Sequence, residues 1–125
     1  MAGKVIGEFT LNIISTTVTP GPGNVQTWQV NLEGPVSGEA GAGNYVGTMT
    51  IDWEPGAKSG TYSTCGATAL TAGGILGGSS TGTWEDTGGG KYHYRGTGRM
   101  ADGTSFTLES DTDIATRTMT GKLCE

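Results

Sequence analysis

Apolar side chains recur at every second position along most of this chain, interrupted by glycine, and that pattern excludes most architectures at once. Lys4–Thr19 alternates through Val5, Phe9, Leu11 and Ile13 and is rich in β-branched residues. No window shows a helical period. The nearest, Ala67–Leu76, contains Gly73 and Gly74, each costing about 1 kcal/mol in a helix. Glycine supplies 24 of 125 residues, far above the usual ~7%. Collagen is excluded by the lack of a three-residue period, and disorder by the regular apolar residues between the glycines.

Read in order, the alternation gives eight strands. The first, Lys4–Thr19, changes parity at Ile13–Ile14, which predicts a bulge or bend. Pro20–Asn24 is a turn. The second strand resumes at Val25 through Trp28, Val30 and Leu32, with Val36 beyond Gly34–Pro35 as a candidate extension. Tyr45–Trp53 and Tyr62–Leu70 follow, then Ser79–Glu85, Lys91–Met100, Thr104–Asp113 and Thr118–Cys124. Short turns join most of them. The expected fold is all-β, one domain over residues 1–125: an eight-stranded antiparallel meander closed into a small β-barrel, which leaves no free sheet edge.

Turn chemistry sets registers in the second half. Ala101–Asp102–Gly103 suits a three-residue hairpin loop with Gly103 left-handed. Lys91 then faces Asp113, His93 faces Asp111, Arg95 faces Glu109, Gly96 faces Leu108 and Gly98 faces Phe106. In the preceding hairpin, Trp84 is expected opposite Tyr92 and Glu85 opposite Lys91. A turn at Ala115–Thr116 would set Leu108 against Leu123 and Glu109 against Lys122. Charges sort outward and rings inward. Small inward residues (Gly47, Thr64, Gly66, Thr68, Gly82, Gly96, Gly98, Ser110 and Gly121) either let the sheet coil or leave room for a ligand.

Seven basic and twelve acidic side chains give a net charge of −5, which argues against a nucleic-acid partner. No apolar run is long enough for a membrane helix. Met1–Phe9 lacks the apolar core of a signal peptide, so cytoplasmic localisation is the default expectation, with secretion of a processed form as the alternative. Cys65 and Cys124 fall on the fourth and eighth strands, across the barrel from each other. Both are expected to point outward as reduced thiols without a catalytic role.

The sole histidine, His93, could be an oriented base beside Asp111 or Glu109, but the register places it on the outer face as a cross-strand charge partner. Glu109, Asp111 and Asp113 lie along one strand about 7 Å apart, which does not make a calcium loop. Thr87–Lys91 lacks the spacing and the helix of a phosphate loop, and Gly96–Thr97–Gly98 lacks the helix of a dinucleotide site. No catalytic residue, metal ligand or cofactor is assigned. The aromatic set is the better candidate for function. Trp28, Met49, Tyr62, Trp84, Tyr92 and Tyr94 are expected to line a lumenal site for an apolar or weakly polar molecule, with Trp53 and Tyr45 in the same inward set.

From Gly47 to Glu125, the sequence GTMTIDW, GTYSTCG, Gly82–Thr83–Trp84, Tyr92–x–Tyr94–Arg95–Gly96 and Arg117–Thr–Met–Thr–Gly–Lys–Leu123 resembles, in rhythm, small bacterial barrels of the allene oxide cyclase-like type, to which spirotetronate cyclases are similar. The resemblance implies an eight-stranded, often oligomeric barrel that folds a substrate in its lumen. No functional residue of those families maps onto this chain, and the inward set lacks the carboxylate that the plant-type reaction would use. Three functions follow as expectations: a lumen that binds a small hydrophobic molecule and could act as a cyclase by folding it, a calycin-like or avidin-like carrier, and a structural barrel with a filled core. Homo-oligomerisation is compatible with each.

Overall fold

The computed structural model describes residues 3–125, which form eight strands and no helix. They are β1 (Val5–Pro20), β2 (Gln26–Ser37), β3 (Gly43–Trp53), β4 (Ser59–Leu70), β5 (Ile75–Gly88), β6 (Lys91–Met100), β7 (Ser105–Asp113) and β8 (Thr118–Cys124). Each pairs antiparallel with the next, and β8 pairs back onto β1 to close the barrel. The parity change in β1 is a register shift between Ile13 and Ser15. Gly34–Pro35 does not end β2, which continues to Ser37 opposite Glu8.

The β6–β7 register is the one that the Ala101–Asp102–Gly103 loop implies: Lys91 pairs with Asp113, His93 with Asp111 and Arg95 with Glu109. Gly103 has φ of 94°. In β7–β8, Leu108 meets Leu123 and Glu109 meets Lys122 as expected. The connection there spans Ile114–Arg117, because Asp113↔Thr118 is the last pair and Arg117 takes the left-handed φ of 56°.

The β5–β6 hairpin corrects the expected register by two residues. Trp84 pairs with Tyr94 rather than Tyr92, and Glu85 with His93 rather than Lys91. Gly89 and Gly90 both have positive φ, which lets the chain reverse in two residues, and the extra residue is absorbed as a shift between Asp86 and Gly88. The strands are therefore longer than the sequence suggests, and a slip of two leaves the inward and outward sets intact.

Rings packed on glycine organise the interior. Phe9 pairs directly with Gly121, Phe106 with Gly98, Trp84 with Gly60 and Tyr62 with Gly82. The Tyr62 ring reaches across Gly82 so that its hydroxyl lies against Gly96 on the next strand, and the Tyr45 hydroxyl rests on Gly47 and Gly66. A side chain at those positions would occupy the space of the ring. The main core joins Leu11, Val30, Leu32, Met49, Tyr62, Trp84, Tyr94 and Met119, and a smaller cluster joins Ile6, Phe106 and Leu123. Burying one such ring contributes roughly 4–6 kcal/mol of transfer free energy.

Cys65 is exposed and free, as expected. Cys124 is also free and pairs with Thr107 on the outer side, yet it is 5% exposed, which corrects the expectation of an exposed thiol. It sits in the final pairs of β8, with β1 on one side and β7 on the other.

Two measurements check this frame. A methyl at Gly82 would collide with the Arg95 carbonyl and the Gly96 Cα, both backbone, so Gly82→Ala should lower stability in urea by about 1–3 kcal/mol. His93→Ala, by contrast, should cost less than about 1 kcal/mol, because it removes only outer-face polar contacts with Asp111, Arg95 and Glu109.

Candidate functional site

The up-and-down topology gives the barrel two unlike ends. One carries the start of β1, the end of β8 and the turns after β2, β4 and β6. The other carries the turns after β1, β3, β5 and β7, and there a cavity of about 310 Å³ opens to solvent. Its wall comes from every strand pair around that rim: Ile13 and Thr16 of β1, Trp28 and Val30 of β2, Ile51 and Trp53 of β3, Trp84 of β5, Tyr92 and Tyr94 of β6, with Thr112 and Ile114 at the end of β7. Leu32 and Met49 form the floor. A second void of about 100 Å³ lies toward the opposite end, and Leu32 also borders it, so the packed waist at Leu32 separates the two.

Edge-to-face contacts hold the wall in shape. Trp28 and Trp53 lie 6.2 Å apart at 67°, and Trp84 and Tyr92 lie 6.1 Å apart at 66°. Tyr94 meets Tyr62 at 5.5 Å and 87°. These distances and angles are those at which the positive edge of one ring meets the negative face of another.

Five of the six expected site residues surround this cavity. Met49, Trp84 and Tyr94 are buried at 2–4% exposure, Tyr92 is half-buried, and Trp28 stands at the mouth with 37% of its surface exposed. Tyr62 does not line it, lying beside Tyr94 within the core and facing Gly96. Sequence reasoning missed Ile13, Thr16, Val30, Leu32, Ile51, Thr112 and Ile114. Ile13 and Ile51 belong to the inward alternation and could have been read from it. Ile114 sits in a turn, where alternation carries no information.

The chemistry of the wall is uniform. No carboxylate, histidine, lysine, arginine or thiol lines the cavity. Burial pushes the phenols of Tyr94, Tyr62 and Tyr45 above the ordinary value of 10.0, with neighbouring hydroxyls on Thr112 and Ser80 opposing part of the rise for Tyr94 and Tyr62. These phenols are neutral at physiological pH. Four buried polar atoms, Tyr62 Oη, Trp84 Nε1, Ser110 Oγ and Thr112 Oγ1, lack a hydrogen-bond partner at bonding geometry. They have essentially no accessible surface, so the cavity meets the apolar parts of these residues.

His93 stands outside this site. Its Nδ1–H donates to Asp111 Oδ1 at 2.7 Å, and its Nε2 accepts from Arg95 Nε at 3.2 Å, while Arg95 also pairs with Glu109 at 3.2 Å. Asp111 and Glu109 are thus engaged on the outer face with cationic and imidazole partners. Comparison with known proteins adds no assignment: no protein family, curated protein or solved structure matches the chain.

The raised phenols carry a testable pH dependence. A phenol whose folded value exceeds its unfolded value of 10.0 contributes stability that is full below pH 10.0 and is lost as pH rises through the folded value. Urea midpoints should therefore fall between about pH 9 and about pH 11. Tyr94→Phe should reduce that fall.

Proposed function

We propose that the barrel binds a small, uncharged, largely apolar organic molecule in the cavity between Trp28, Trp84 and Tyr94. The observation that supports this reading is a volume of about 310 Å³, open at one end and walled by aromatic and aliphatic side chains and two threonines, without a single charge. That volume lies at the lower end of the range of about 300–1,000 Å³ typical of small-molecule sites. A charged ligand would lose its hydration with nothing to replace it. An apolar one gains roughly 25 cal/mol for each Å² it buries.

Binding without turnover suits this wall best, because it offers no group that exchanges a proton near neutral pH. A cyclase of the kind the sequence resemblance implies would have to work through shape alone. The wall would hold a flexible chain in a folded form and exclude water, with the hydroxyls of Tyr92 and Tyr94 as hydrogen-bond donors.

All three tryptophans of the chain line the cavity, so intrinsic fluorescence reports on it directly. Titration with an uncharged apolar dye should give a saturable change in tryptophan emission at one dye per chain. Thr16→Phe, which adds bulk at the exposed mouth, should weaken that binding at least tenfold, about 1.4 kcal/mol, while leaving the unfolding midpoint close to wild type. An emission spectrum indifferent to every apolar dye would overturn the proposal.

A further inference from the structure

The barrel is closed over only part of its height. β1 has 16 residues and β8 has 7, and their pairing ends at Asn12↔Thr118, with one further bond from Ile13 N–H to the Arg117 carbonyl at 2.9 Å. Beyond the bulge, β1 pairs on one side only: Ser15↔Asn31 through Pro20↔Gln26, all with β2. Among the described residues, no strand covers the other side of Ile14–Pro20. All seven of these residues are exposed, Ile14 at 55% and Val18 at 45%.

An unpaired edge is normally shielded by lysine, by inward charge or by proline within it. This one carries none of these before its last residue, and Ile14, Thr16, Thr17, Val18 and Thr19 are strong strand formers. It also lies within a stretch, positions 9 to 32, that holds no charged side chain in a chain of net charge −5. The other long uncharged stretch, Ser59–Trp84, is paired along both edges of its strands except for the first three residues of each. Those are Ser59–Thr61 beside β3 and Ile75–Gly77 beside β6, a much shorter free edge than that of β1.

We infer that the free edge of β1 pairs with the same edge of a second copy, antiparallel about a two-fold axis near Thr17. A strand edge is its own complement in that arrangement, since each N–H of one copy meets a carbonyl of the other and each carbonyl an N–H. Thr16 lines the cavity, so Thr17 faces the opposite side of the ribbon, and the two-fold sets Thr17 of one copy against or diagonal to its mate. Two acidic copies meet here without facing like charges, which selects a second copy over a charged partner. The pairing stands apart from whatever the lumen holds.

Sedimentation of the full chain over a range of concentrations tests this. Wild type should be a dimer that dissociates on dilution. Thr17→Lys and Thr17→Glu should each weaken self-association at least tenfold, because like charges then meet across the axis. Mixing the two variants should restore a dimer with one chain of each. Unchanged near-ultraviolet circular dichroism, and unchanged dye binding, would show that both variants keep the fold and the cavity. A wild type that stays monomeric at every concentration, capture of an unrelated extended peptide by that monomer included, would overturn the inference. So would a dimer indifferent to both substitutions.

Discussion

Aromatic rings laid on bare backbone are the contact on which this barrel depends. Phe9 on Gly121, Phe106 on Gly98, Trp84 on Gly60 and Tyr62 across Gly82 onto Gly96 each join neighbouring strands through one ring. A glycine in a strand forgoes side-chain packing and costs conformational entropy, and the ring offsets both by covering the exposed peptide groups. The arrangement also explains how so small a barrel takes so many rings: the glycines give up the volume that the rings fill.

The same contact divides the lumen. Where tyrosine side chains reach over glycine, as Tyr45 and Tyr62 do, the interior is packed and only a void of about 100 Å³ is left. Toward the open rim the inward positions are Trp28, Trp53, Tyr92, Ile13 and Ile51, and rings there meet edge to face instead of folding onto the wall. They stand around a space rather than closing it. Outward positions take the charge, with the His93–Asp111–Arg95–Glu109 network as the clearest case. The lumen is uncharged because no charged side chain lines it, and burial keeps the Tyr45, Tyr62 and Tyr94 phenols neutral.

Much of this was legible in the residues because sheets have a period of two. The outward position of His93 and the pairing of Gly98 with Phe106 follow from one turn, Ala101–Asp102–Gly103, whose geometry admits a single register. The β5–β6 hairpin was not fixed in this way. Gly88–Gly89–Gly90 can reverse the chain at more than one place, and alternation is blind to a slip of two. The cavity wall was legible where it lies on strands, as at Trp28, Met49, Trp84 and Tyr94, and illegible at Ile114, which reaches the site from a turn. The burial of Cys124 was equally hidden. Parity states a face, and what covers that face depends on where β1 and β7 converge at the end of β8. The unclosed upper part of β1 follows from unequal strand lengths, which alternation registers only loosely.

Xenon tests the central claim most directly, since it enters apolar cavities and has no use for a polar or packed interior. Crystals equilibrated under xenon pressure should show an ordered atom between Trp28, Trp84 and Tyr94, with the surrounding side chains unmoved. A rim in which Trp28 and Trp53 have collapsed into the lumen, or a chain of hydrogen-bonded waters holding that space against xenon, would contradict an open apolar site.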